Sequence, residues 1–180
     1  MLRLILLVGV AAALFGQPAK YGVGRAPTAE ELKAFDISVA PDGTGLPEGS
    51  GTAAQGKDLY ASKCAKCHGA QGQGGDEAAL VGGQGTLRTP KPLKTVGSYW
   101  PYATTLFDYI HRAMPFKQPG TLTANQTYAL CAHILHLNGI VGENAVMDAK
   151  SLPQVKMPNR NGFVADPRPD VGPKRAKKQL

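Results

Sequence analysis

Only three cysteines stand among the 180 residues, Cys64, Cys67 and Cys131, too few for a disulfide framework. The apolar stretch from Leu4 to Phe15, about a dozen residues, is shorter than a bilayer span requires. It follows the positive Met1–Arg3 and precedes small and polar residues, so 1–19 reads as a secretory leader that sends the chain to the periplasm. An uncleaved membrane anchor is the competing reading, and no clean A-x-A pattern marks a cleavage point. Acidic residues are outnumbered, 13 to 20, giving a formal charge of +7 and a pI near 9.4. Yet Arg3, Lys174, Arg175, Lys177 and Lys178 account for most of that excess and leave the domain close to neutral. Export argues against a nucleic-acid partner, and the tail reads as a solvated disordered segment or a dock for an acidic partner or membrane. No strand signal precedes Gly69, Gly72, Gly74 and Gly75, which excludes a phosphate cradle. His133 and His136 lie three apart without the i, i+4 spacing and glutamate of a zinc-protease helix, so both read as ordinary helix residues.

What the chain does contain is Cys64-Ala65-Lys66-Cys67-His68, and it contains this pattern once. Two thiols followed at once by histidine have the spacing of a covalent c-type haem attachment, with His68 beneath the ring as an iron ligand. A bare C-x-x-C also suits a redox pair or half a zinc site. The first needs a βαβ context that is not evident, and the second needs four ligands where the remaining cysteine, Cys131, is distant. Cys131 lies within an apolar periodic helix and reads as a small buried hydrophobe rather than a reactive thiol.

Periodicity places three helices. The first covers 53–65, with Gly56 and Tyr60 four apart on one face, where a partner helix can approach closely. The second covers 102–113, with Leu106, Ile110 and Ala113 at helical spacing, Pro101 in the first turn and Pro115 at the end. The third covers 124–137, opened by a Thr123/Gln126 capping box and stopped near Asn138-Gly139, with a seam of Tyr128, Ala132 and Leu135 available to cross Gly56 and Tyr60. Residues 20–52 read as a mostly irregular arm with one short helix capped by Thr28 and Glu31. The sequence thus divides into a leader at 1–19, an arm at 20–52, a haem domain at 53–140 and an extension at 141–180. Leu152 to Phe163 reads as a loop packing back through Leu152, Val155, Met157 and Phe163.

Pro115 pushes the preceding Met114 toward an extended backbone, which presents a methionine at a stiff junction 46 positions after His68. Met114 is the candidate sixth iron ligand, against a gap-filling core methionine, His111, Met147 or Met157. A neutral thioether favours ferrous iron over a second imidazole and raises the potential. Tyr102, Phe107, Tyr109 and Phe116 fit either a haem pocket or plain core packing.

These elements resemble the class I cytochrome c fold, an all-α wrapping of one haem, here with irregular N- and C-terminal extensions. Gly24–Thr28, Val96–Tyr102, Ala113–Phe116 and 152–163 extend the resemblance to cytochrome subunits of molybdenum-containing sulfite or sulfane dehydrogenases in bacterial sulfur oxidation. The resemblance implies one haem c held by Cys64 and Cys67, with His68 as proximal and Met114 as distal ligand. It implies electrons taken from such a dehydrogenase and passed to a respiratory cytochrome or oxidase, with the sulfur chemistry on the partner. The alternative is a catalytic haem subunit acting directly on a sulfur compound. His133 departs from the pattern, since such closing helices commonly carry an aromatic residue there.

Overall fold

The computed structural model describes residues 23–166 and Arg168; the leader and the basic tail lie outside the described residues. The chain divides into two compact units between Asp36 and Ile37. The first contains helix α1, Ala29–Phe35, opened by the Thr28/Glu31 capping box that the spacing predicts. Arg25 grips the Glu31 carboxylate and, with the Thr28 backbone amide, holds it well below the usual carboxylate range, at about 2.

In the second unit the order is β1 (Ser50–Thr52), α2 (Ala53–Lys63), α3 (Ala65–His68), α4 (Ala103–Ala113), α5 (Ala124–Leu137) and β2 (Val146–Asp148). Single 3-10 turns occur at Thr86–Arg88 and Leu152–Gln154. The architecture is the predominantly helical class I cytochrome c fold with one small ribbon. That ribbon is antiparallel, with Ser50 opposite Asp148, Gly51 opposite Met147 and Thr52 opposite Val146. Three-residue strands are too short to show a period of two, so sequence pattern does not announce them.

The helix read over 53–65 is interrupted. α2 ends at Lys63, Cys64 takes φ −121°, ψ −38°, and α3 begins at Ala65. Cys64 is the pivot: its amide closes α2 on the Tyr60 carbonyl at 2.8 Å, and its own carbonyl accepts from Cys67 and His68 at 3.1 and 3.0 Å. At α4 the N-cap is Tyr102, so Pro101 precedes the helix rather than occupying its first turn. The other end behaves as proline sterics require, with Met114 extended at φ −117°, ψ 150°. α5 begins at its capping box and ends at Asn138, where Gly139 takes φ +68°, a left-handed conformation that costs glycine nothing.

α5 is the central element, buried on several sides. Toward α2, the missing side chain of Gly56 lets two backbones touch: a β-carbon there would meet the Ala129 carbonyl oxygen at 2.0 Å and His133 Cβ at 2.8 Å. The crossing is the one anticipated, and at Gly56 and Tyr60 the nearest α5 residues are Ala129 and His133. Tyr128, one position back and about 100° around the helix, instead packs on Phe107 of α4 at 4.5 Å between ring centroids. Its hydroxyl donates to the Pro47 carbonyl at 2.9 Å.

Residues outside the helices complete the core. The Val39 amide donates to buried Asp108 at 2.9 Å, and Leu152 and Met157 are buried. Phe163 stays half-exposed, edge-on to Tyr99 at 5.2 Å. Full burial of Tyr60, Phe107, Tyr128, Leu130 and Leu135 contributes about 1.5–3 kcal/mol each for the aliphatic and phenylalanine side chains before ordering costs.

Gly56→Ala separates two opposing effects. Helix propensity alone gains about 1 kcal/mol, whereas overpacking a tight contact costs about 1–3 kcal/mol or more, and here the obstacle is backbone. The expected result is a net loss of about 2 kcal/mol in urea unfolding of the holoprotein. Equal or greater stability would show that the helices separate freely.

Candidate haem-binding site

α3 is a single turn that holds both motif cysteines and the histidine. Cys64 is half-buried, Cys67 is exposed, and neither forms a disulfide. Burial, reinforced by the neighbouring Cys67 and only partly opposed by Lys63, pushes the Cys64 thiol up to about 11. A redox C-x-x-C pair works through a depressed thiol; this one is shifted the opposite way. Among the described residues, no group of three or more His, Cys, Asp or Glu side chains gathers to hold a metal ion.

His68 is oriented rather than free. Its Nδ1 lies 2.8 Å from the Ala78 carbonyl oxygen, which assigns the proton to Nδ1 and leaves the Nε2 lone pair available as a ligand. The glycine-rich strap after it folds back on the motif: Gly74 N donates to His68 O at 2.8 Å, and Glu77 N to Cys67 O at 2.9 Å. Gly75 is required by contact, since a β-carbon there would sit 2.8 Å from the Cys67 carbonyl oxygen. α2 fastens the strap through the Tyr60 hydroxyl, which donates to Gly69 O at 3.0 Å. Burial and the nearby Cys64 raise this phenol to about 12, so it stays a donor.

The next loop is fixed from α5. Asn138 accepts from the Gly82 amide at 3.2 Å and donates to Leu80 O at 3.2 Å and Ile134 O at 2.9 Å. Thr95 and Ser98 knit the returning segment, donating to Gly82 O and Leu93 O at 2.6 Å each. In the sequence alone Asn138 is legible as a helix stop and Tyr60 as a packing ring. Asn138 follows the last helical turn, the position where an amide side chain can cap and reach outward, which is the signal that was available.

Met114 stands at the C-cap of α4, half-buried against the edge of the core. Met147 and Met157 are 5% and 3% exposed and committed to packing. His111 is half-buried beside Phe107, at 5.5 Å between rings, with a buried Nδ1 that has no hydrogen-bond partner. Trp100 and Tyr109 meet edge to face at 5.9 Å, and Phe116 is largely exposed. The donor set fits a c-type haem: two unpaired thiols one turn apart, an imidazole with one nitrogen tethered, and a methionine only half-buried at the edge of the core.

His133 occupies the aromatic position of the helix crossing, buried at 5.3 Å from the Tyr60 ring. Burial lowers its pKa, partly offset by a hydrogen bond to the Ala53 backbone and assisted by His136 and Lys57. The unfolded chain therefore binds the proton first as pH falls. Stability is full above the ordinary histidine value of about 6.5 and declines below it toward the folded value. His133→Phe should flatten this decline in unfolding free energies measured between about pH 7 and pH 5. An unchanged profile would assign the loss to other groups.

Among the described residues, no helix is long and apolar enough to cross a membrane. Residues 51–134 match the family model described as cytochrome C oxidase, cbb3-type, subunit III. A search of curated proteins gives no match. Among solved structures, a chain of the sulfane dehydrogenase SoxCD from Paracoccus pantotrophus is 47% identical, with a TM-score of 0.78, over 83% of this chain and 74% of that one. Identity at that level over most of both chains, on the fold described above, carries more than fold likeness. The chain belongs to the family of c-type cytochrome subunits of sulfane dehydrogenases, electron-transfer proteins of the class I cytochrome c fold.

Proposed function

We propose that the protein holds one haem c through thioethers from Cys64 and Cys67, with His68 Nε2 as proximal and the Met114 sulfur as distal ligand. It accepts electrons in the periplasm from a molybdenum-containing sulfite or sulfane dehydrogenase subunit and delivers them to a respiratory cytochrome or oxidase. The observation that carries the reading is the His68 ring, tethered at Nδ1 to Ala78 directly after two unpaired thiols. When bound, the haem supplies reversible one-electron exchange at iron. The residues determine how that exchange is tuned. Ala78 fixes the His68 tautomer and increases its basicity as a ligand. Met114 contributes a neutral thioether, which favours the ferrous state and raises the potential relative to a second imidazole. With His68 and Met114 both held as ligands, substrate would have no open place at the iron. That favours electron transfer over direct oxidation of a sulfur compound, and the likeness to a dehydrogenase-associated cytochrome supports the donor.

Absorption spectra of the exported protein in both oxidation states test the ligand set. The wild type should show the weak long-wavelength band of sulfur-to-iron ligation, and Met114→Ala should lose it and shift to a lower potential. An unchanged band would remove Met114 from the assignment. Oxidation of thiosulfate or sulfite by the isolated protein would favour the catalytic alternative.

A further inference from the structure

Positive charge in the second unit is unevenly placed along the chain. Between Ala78 and Gly142 the sequence has one acid, Asp108, against Arg88, Lys91, Lys94, Arg112 and Lys117. Asp108 is spent internally, accepting from the Val39 amide and from Arg112. Side-chain contacts join part of this basic segment to the C-terminal loop. Lys94 Nζ lies over the Tyr99 ring at 5.1 Å, and Arg160 lies over the Tyr102 ring at 4.5 Å. Tyr99 meets Phe163 edge-on at 5.2 Å, and its carbonyl accepts from Asn159 at 2.7 Å. Beside Arg160, a shallow cleft of about 470 Å³ is lined by Lys156 and contains no carboxylate. Asp166, the next acid along the chain, is paired with Arg168.

We propose that the face formed by Lys94, Tyr99, Tyr102, Lys156, Arg160 and Phe163 receives an acidic surface of the electron-donating dehydrogenase. This rests on the donor assigned under Proposed function and names where that donor binds. Charge complementarity selects the partner: exposed Lys94, Lys156 and Arg160 are joined to half-buried Tyr99 and Tyr102 and exposed Phe163, with the nearby Asp166 already neutralised. The ring contacts also restrict Lys94 and Arg160 before binding, so less side-chain freedom is lost on docking than for isolated surface lysines. The aromatic surface supplies apolar area, and the cations steer encounter. The face also borders the site along the chain. The loop bearing Lys94 begins just after Ala78, which holds His68, and Tyr102 caps the helix that ends at Met114.

The test is reduction of the holoprotein by the dehydrogenase subunit of the same organism, supplied with its sulfur substrate, over a range of salt. The wild-type rate should fall as salt rises, and Lys94→Glu/Arg160→Glu should lower kcat/KM at low salt by about tenfold or more. Lys57→Glu, the same charge change per site at an exposed position on α2, should stay within about twofold of wild type. Reduction by ascorbate and the absorption spectrum should be unchanged in every variant. Should the double variant fail to fold, Lys94→Gln and Arg160→Gln singly provide the same comparison, and Arg160→Lys should retain most of the rate. Wild-type kinetics in the charge variants, or an equal loss in Lys57→Glu, would overturn the proposal. So would a loss confined to binding of anionic phospholipid vesicles, which would assign the face to a membrane. A wild-type protein that the dehydrogenase does not reduce at all would instead bring down the donor assignment itself.

Discussion

The close approach of α2 and α5 at Gly56 is the constraint on which the rest of this molecule depends. With no side chain at that position, the Ala129 backbone comes within a distance that even a methyl group would forbid. Two consequences follow from the contact. Tyr60, one turn further along α2, is buried beside His133 and directs its hydroxyl at Gly69, immediately after His68. Asn138, at the end of α5, reaches the loop at Leu80 and Gly82. One helix pair therefore positions two segments that follow the Cys64–His68 motif.

The polar groups near the motif are used for alignment. His68 donates to a backbone carbonyl, the strap amides return to Cys67 and His68, and Thr95 and Ser98 close the following loop on itself. A ring whose orientation is already fixed would lose little freedom on binding iron, which suits the ligand role proposed for His68. Electron transfer is the role this family fills, and the side chains supply rigidity more than acid–base chemistry.

Legibility followed the length and strength of local signals. The Thr123/Gln126 box, the stop at Asn138-Gly139 and the extended Met114 were readable because capping and proline sterics act within a few residues. The placing of Cys64, Cys67 and His68 together was readable because they lie within five consecutive residues on one short turn. The break at Cys64 was not, since it depends on a hydrogen-bond pattern rather than on a breaking residue. The Ser50–Thr52/Val146–Asp148 ribbon pairs residues almost a hundred positions apart and has no periodicity to detect. The contact of Ala129 and His133 with Gly56 was not legible because α5 is buried nearly all round, so its pattern alone does not say which stripe meets which neighbour. The roles of Tyr60 and Asn138 depend on partners that only tertiary structure provides.

Covalent attachment at Cys64 and Cys67 is the claim that most of the account assumes, and mass spectrometry of the exported holoprotein with thiol alkylation after unfolding addresses it directly. The account predicts a polypeptide heavier by one haem, a haem-bearing peptide containing Cys64 to His68, and alkylation at Cys131 alone. A polypeptide of unmodified mass with Cys64 and Cys67 both alkylated, or joined to each other as a disulfide, would contradict it.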